Sequence, residues 1–273
     1  MQTGEHAQSF TKMSGTGNDF IVINAMDRGA TADWGAFARK YCPRRIGIGA
    51  DGVLVLEADM NADFCLRIFN ADGSEAEMCG NGARCAAAFA LRTQIAPKTM
   101  SFKTLAGIIH AEADRNEVTL EMTLPEGIEG PIELGDLDPP ATLYYADTGV
   151  PHAIVFTDDI DHVDVESRGR AIRMHEHFAP RGTNVDFVQI MDSTHIRVRT
   201  YERGVEAETL ACGTGSVASA LMSTRFNCID KSPVNVSMSG GRLSIGFEMN
   251  GEVFSHVSLT GPVESIYSAE VVD

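Results

Sequence analysis

At 273 residues, with 44% apolar and 22% charged side chains, the chain has the composition of a folded protein with room for two domains. A formal net charge of −16, with no basic stripe to offset it, argues against a nucleic-acid partner and suits a protein that handles small molecules. No apolar run reaches the roughly 18 residues of a spanning helix, so no membrane is expected, and the start MQTGEHAQSF lacks a secretory pattern.

In chain order, that start reads as a short, frayed extension. GTGNDF (15–20) carries two glycines, but it precedes a strand instead of opening a helix after one, so it is no dinucleotide fingerprint. FIVIN (20–24) reads as a strand, TADWGAFARKYC (31–42) as a helix, and GVLVLEA (52–58) and FCLRIFN (64–70) as strands. GARCAAAFALRTQ reads as a helix opening at a Cys-Gly-Asn-Gly turn, and EVTLEMTL (117–124) as a strand. PEGIEGPIELGDLDPP (125–140), dense in Pro, Gly and acids, reads as the connection between halves. HAIVF (152–156), VDFVQIM (185–191) and HIRVRTYE (195–202) follow as strands, with MHEHF (174–178) a loop and no metal site. GSVASALMSTRF is a helix opening at Cys-Gly-Thr-Gly, and LSIGFEM (243–249) and EVFSHVSL (252–259) close the series as strands.

Six cysteines without a C-x-x-C pair are too sparse for a disulfide scaffold or a zinc site, so the reducing cytoplasm is the expected compartment. Cys42, Cys65 and Cys228 read as buried or incidental, and Cys85 as a core packer.

The halves repeat one another. GNDFIVIN has a counterpart in GVPHAIVF, GADGVLVLE in TNVDFVQIM, and RIFNADGSEAEMCGNG in RVRTYERGVEAETLACGTG. Asp19 precedes Cys79 by the same 60 positions that separate His152 from Cys212, which pairs Asp19 with His152, and Asp51 is paired with Asp186. A duplicated fold about a pseudo-twofold axis would set the two Cys-Gly turns opposite one another.

A thiol at a helix mouth meets N–H groups without intrahelical partners and about half a positive charge from the macrodipole. Its pKa is therefore expected to fall from about 8.5, and a substrate carboxylate can dock on the same groups. Two such mouths suit inversion at an α-carbon, where one base takes the proton from one face and one acid returns it to the other. Such a pair titrates as a coupled unit. His152 and Glu202 are the polar residues that the repeat brings near the thiols. Asn18, Asn70 and Asn184 read either as turn formers or as recognition groups. Arg203 beside Glu202 reads either as an exposed ion pair or as a binder of a zwitterionic substrate end.

KMSGTGNDFIVIN, RRIGIGADGVLVLE, RIFNADGSEAEMCGNGARC, GVPHAIVF, RGTNVDFVQI and YERGVEAETLACGTGS resemble the diaminopimelate epimerase family in order and spacing, from Phe10 to the C-terminus. The resemblance implies an α/β (α+β) fold of two pseudo-symmetric domains, each a β-barrel-like sheet around a central helix. The expected division is 10–124 plus about 263–273 for the first domain and 125–262 for the second. It implies interconversion of LL- and meso-diaminopimelate without a cofactor or metal, in the supply of lysine and peptidoglycan precursors, by a homodimer. Cys79 and Cys212 would be the base and acid, with His152 and Glu202 beside them. Gly80, Asn81, Gly213 and Thr214 would bind the reacting carboxylate and amine. Asn18, Asn70, Asn184, Glu202 and Arg203 would hold the substrate, the asparagines and Arg203 mainly at its far end. Ser14, Gly52 and Val150 stand where the family often has His, Gln and Asn, and proline racemases carry His in place of Asn81. The alternatives are a racemase of another amino acid, an isomerase of the phenazine-synthesis type without the thiol pair, and a non-catalytic amino-acid binding protein.

Overall fold

The computed structural model describes residues 7–27, 33–226 and 228–272, and the chain divides into two compact units, Met1–Leu120 with Gly261–Asp273, and Glu121–Thr260. In the first unit, β1 (Gln8–Gly15) turns into β2 (Asn18–Asn24), α1 (Trp34–Tyr41) follows, and β3 (Gly52–Glu57), β4 (Phe64–Asn70) and β5 (Glu75–Ala76) form a meander. Then come α2 (Gly80–Arg92), β6 (Thr99–Thr104), β7 (Gly107–Ala113) and β8 (Glu117–Glu121). β1–β2, β3–β4, β4–β5, β6–β7 and β7–β8 pair antiparallel, while β2–β3 and β4–β6 pair parallel.

The second unit contains β9 (Glu126–Leu134), β10 (Ala141–Asp147), β11 (Pro151–Phe156), α3 (Val165–Arg173), β12 (Asn184–Asp192), β13 (His195–Glu202) and β14 (Ala207–Thr209). α4 (Gly213–Arg225), β15 (Val234–Met238), β16 (Gly241–Asn250) and β17 (Val253–Pro262) complete it. Its ladder repeats the first: β11–β12 and β13–β15 are parallel, and β10–β11, β12–β13, β13–β14, β15–β16 and β16–β17 antiparallel. β18 (Glu264–Val271) returns to pair with β1, as β9 pairs with β10.

α2 and α4 are the helices that the sheets enclose. All residues from Asn81 to Ala90 and from Gly215 to Thr224 are buried, a helix covered all round. The composition explains it: alanine, glycine and serine keep these helices thin enough for strands to pack on every side. α1 and α3 lie outside their sheets. α1 covers a core of Phe10, Ile21, Ile23, Val53, Val55 and Phe69, and Val165 and Ile172 of α3 join a core with Val185, Phe187 and Tyr201.

The register corrects two pairings read from the repeat. Phe20 stands opposite Gly52, and His152 opposite Asn184, so the counterpart of His152 is Phe20 and not Asp19. Likewise the counterpart of Asp51 is Thr183, not Asp186. One extra residue in the second β-hairpin accounts for the first mispairing, whereas Asp186 lies three positions past Thr183 and matches Leu54 instead. Arg67 grips Glu75 eight positions on, while Arg199 grips Glu208 nine positions on. Counting back from the cysteines crosses that insertion.

The stretch 125–140 is not merely a connection, since β9 occupies most of it. The expected frayed start is in part a strand, with Gln8–Phe10 paired to β18, while residues 1–6 lie outside the described residues. Of the expected helix 31–42, residues 31–32 also lie outside them, and Asp33 caps α1 by accepting from Ala36 N at 2.8 Å.

Candidate active site

Cys79 and Cys212 are each the N-cap residue of an enclosed helix, with extended backbone at φ −145° and −123°. The two glycines of each motif do different work. A Cβ on Gly82 would lie 3.0 Å from Leu54 Cδ2, and one on Gly215 would collide with Asp186 Oδ1. The second glycine therefore admits close packing. A Cβ on Gly80 would meet nothing within 4 Å, and one on Gly213 only Leu259 Cδ1 at 3.4 Å. The first glycine thus leaves the helix mouth open to a ligand.

In the first unit, Cys79 Sγ accepts from Gly82 N at 3.5 Å. Asn81, buried in the first turn, donates from Nδ2 to Asn18 Oδ1 at 2.5 Å, and Asn18 Nδ2 donates to Asp51 Oδ2 at 3.1 Å. Asp19 bonds Arg44 through both oxygens, at 2.7 and 2.9 Å, and takes Lys12 Nζ at 2.6 Å. Burial pushes the Asp19 carboxyl up, but the bonds from Arg44 and Lys12 outweigh it and hold it well below the usual carboxylate range. The Asn70 amide donates to Ser74 Oγ at 3.0 Å in the turn after β4.

In the second unit the polar residues form a chain. Asp186, fully buried, accepts from Thr200 Oγ1 at 2.6 Å and from His152 Nδ1 at 2.6 Å. His152 Nε2 meets Thr214 Oγ1 at 3.0 Å, and Thr214 Oγ1 lies 3.5 Å from Cys212 Sγ. Asn184 Oδ1 accepts from Arg203 N at 2.8 Å, which leaves its Nδ2 facing His152 Nε2 at 3.5 Å. The Arg203 side chain donates to Arg181 O at 3.0 Å and forms no ion pair with Glu202.

The expected lowering of the thiol pKa does not hold for Cys212. Burial pushes this thiol well above its ordinary value, and Glu202 and Asp186 add in the same direction. Thr214 and the Gly215 N–H act against them and lose. Desolvation of a buried anion exceeds what a helix terminus supplies. Burial also pushes Glu202 up. Cys85 is fully buried in α2 and pushed up to about 12 by burial.

Two of the departures have a local account. A Cβ on Gly52 would lie 2.5 Å from Phe69 O, so the backbone has closed in where the family often carries Gln. Val150 offers its carbonyl to Thr148 N at 3.1 Å, and its side chain brings no polar atom. Nothing in the structure explains Ser14.

Sequence reading missed Asp186, Thr200 and Arg84. An Asp inside the apolar run VDFVQIM, and an Arg inside an alanine run, were the available signals. Among the described residues, no group of three or more His, Cys, Asp or Glu is arranged to hold a metal ion, and no helix is long and apolar enough to cross a membrane.

Comparison with known proteins adds to this geometry. Two solved structures share the fold: a phenazine biosynthesis protein of the PhzF family from Bacillus anthracis, and a hydroxyproline epimerase from Agrobacterium vitis. The first has a TM-score of 0.74 at 15% identity, covering 97% of this chain and 99% of that one. The second has a TM-score of 0.70 at 15% identity, covering 100% and 94%. At that identity they speak for the fold alone. The diaminopimelate epimerase of Aquifex aeolicus is 43% identical over 276 residues, covering 96% of this chain and 97% of its own. That of Methanocella arvoryzae is 40% identical over 275 residues, covering 96% of each. The family model described as diaminopimelate epimerase matches residues 10–126 and 144–266, and with it the chain belongs to the diaminopimelate epimerase family.

Proposed function

We propose that the protein interconverts LL- and meso-diaminopimelate by moving a proton at one α-carbon, with Cys79 and Cys212 as the two acid–base groups. The observation that carries this reading is the paired placement of the thiols, each the cap of an enclosed helix whose following glycine leaves the mouth open. Family membership supplies the substrate.

An α-proton of an amino acid is very weakly acidic, and one base reaches only one face. Inversion therefore needs a thiolate on one side and a thiol on the other. Burial and two nearby carboxylates disfavour the Cys212 anion, which supports Cys212 as the resting thiol and Cys79 as the resting base for one direction of reaction. After proton transfer the roles exchange, and the reverse direction begins from that state.

Gly80, Asn81, Gly213 and Thr214 are proposed to hold the reacting carboxylate and amine, whose developing negative charge the helix termini stabilise. Asn18, Asn70, Asn184 and Arg203 are proposed for the far end of the substrate, with His152 and Glu202 beside the thiols. Asp186 fixes the orientation in which His152 faces Thr214 and, through it, Cys212. The reading also includes chemistry without a cofactor, a cytoplasmic location and a homodimer.

The test is direct. Purified protein with EDTA, and without pyridoxal phosphate, is incubated with LL-diaminopimelate, and the stereoisomers are resolved on a chiral column. Conversion to the meso form, with proline and hydroxyproline left unchanged, is expected. Inversion of proline but not of diaminopimelate would overturn the substrate assignment.

A further inference from the structure

Arg84 is a fully buried cation with, among the described residues, no carboxylate hydrogen-bonded to it. It sits in the alanine-rich face of α2, where a Leu or Met would pack without desolvating a charge. Its acceptors are all neutral: Thr16 Oγ1 at 2.5 Å, Asn81 Oδ1 at 2.8 Å and Gly80 O at 3.3 Å. Its Nε has no partner. Stability is a poor reason for such a residue, so its use lies in what it does to its neighbours.

A guanidinium can only donate, so Asn81 must turn Oδ1 toward it. That aims Asn81 Nδ2 at Asn18 Oδ1, 2.5 Å away. Asn18 Nδ2 is then aimed at Asp51 Oδ2 at 3.1 Å, a carboxylate that can only accept. The other Asp51 oxygen is gripped by Arg44 Nη2 at 2.7 Å. The chain Arg84–Asn81–Asn18–Asp51 therefore has a single polarity from end to end. Flipping either amide would set oxygen against oxygen or N–H against N–H.

We propose that Arg84 is a positioning residue for the substrate site. It locks the side-chain amide of Asn81 in one orientation and, with Asp51 at the other end of the chain, that of Asn18, so that Asn18 meets an incoming polar group with one defined free N–H and one defined lone pair. The inference rests on the proposed reading that Asn18 and Asn81 line the substrate site.

The experiment compares wild type, Arg84→Met and Arg84→Lys by NMR of the Asn side-chain NH2 groups and by kinetics with LL-diaminopimelate. In Arg84→Met the Asn81 NH2 pair is expected to lose its dispersion and slow solvent exchange and the Asn18 pair, still held by Asp51, to shift, while backbone amides of α2 stay protected. KM is expected to rise about tenfold, the scale of losing one oriented hydrogen bond. Arg84→Lys keeps a donor and is expected to restore both readouts within about threefold. Unchanged NH2 pairs in Arg84→Met would overturn the proposal. So would their loss in Arg84→Lys, which decides the matter if Arg84→Met fails to fold. Disturbed NH2 pairs with an unchanged KM would overturn the link to the substrate. If wild type does not invert diaminopimelate, the proposed function falls, and the NH2 readout still decides whether Arg84 positions the amides.

Discussion

Asp186 Oδ2 and His152 Nδ1 lie 2.6 Å apart with neither side chain exposed to solvent. A carboxylate can only accept, so the proton between them belongs to Nδ1. Nε2 then faces the Thr214 hydroxyl and the Asn184 amide, and through Thr214 it lies one step from Cys212. Asp186 is held in turn by Thr200 and by the close approach that Gly215 permits.

Asp186→Asn is therefore expected to preserve the packing and lose the orientation of His152. Turnover should fall by roughly 10²–10⁴, the range seen when a buried carboxylate that orients a histidine is neutralised. Asp186→Leu should also destabilise the fold by about 1–3 kcal/mol for each donor left without an acceptor. Turnover and thermal melts on both variants separate the two effects. Full turnover in Asp186→Asn would remove the histidine from the account.

Burial orders the reactivity of the thiols. Cys212 is buried and its pKa pushed well up, whereas Cys228 is exposed. With iodoacetamide at pH 7.5, peptide mass spectrometry should find Cys228 modified well before Cys212 and Cys85, because the thiolate is the attacking form. Cys212 reacting first in the ligand-free protein would contradict its assignment as the resting thiol.

The same shifts set an alkaline limit. Cys42 is pushed up to about 11 and Cys85 to about 12, from an ordinary value of 9.0, in each case mainly by burial. Folded thiols that hold their protons more tightly than unfolded ones lend stability that is complete below pH 9. It is lost as pH rises through 9 toward 11 and 12. Melting temperature should therefore decline over this window, and the decline should be shallower in Cys85→Ala. Equal slopes in the two proteins would show that the buried thiol does not contribute.

Two arginines on β13 should differ in their effect on stability. Arg199 grips Glu208 through two bonds of 2.7 Å and also donates to the carbonyls of Ile160 and Val163. Arg197 makes an ion pair with Asp161, whose side chain is 64% exposed, and such a pair is worth roughly 0–1 kcal/mol. Arg199→Met should destabilise by about 2–3 kcal/mol and Arg197→Met by less than about 1 kcal/mol, measured by urea denaturation. The opposite order would mean that the carbonyl bonds are replaced by water at no loss.

What the sequence made legible follows from periodicity and punctuation. β2, β3, β4, β11, β12 and β13 are dense in β-branched and aromatic residues. The Cys-Gly-x-Gly turns mark the starts of α2 and α4. α3 was missed because VESRGRAIR is short and mostly polar, and only Val165 and Ile172 carry it to the core. β9 was missed because EGIEGPIEL carries two glycines, a proline and three acids, and most of it is exposed, as an edge strand allows. In the site, the cysteines and Asn81 were readable from their motifs. Asp186 and Arg84 were not, because their importance lies in burial, which one sequence does not display. The pairing of Asp19 with His152 failed on a single inserted residue, a reminder that equal spacing is weaker than strand register.

The central claim is that two thiols share one inversion, and isotope uptake tests it most directly. LL-diaminopimelate is incubated in deuterated water with wild type, Cys79→Ala and Cys212→Ala, each shown to be folded by its melting temperature. Wild type is predicted to give meso product with deuterium at the inverted α-carbon, and each variant to lose inversion by roughly 10²–10⁴-fold or more. Near-normal inversion after removal of either cysteine, or meso product without deuterium, would contradict it.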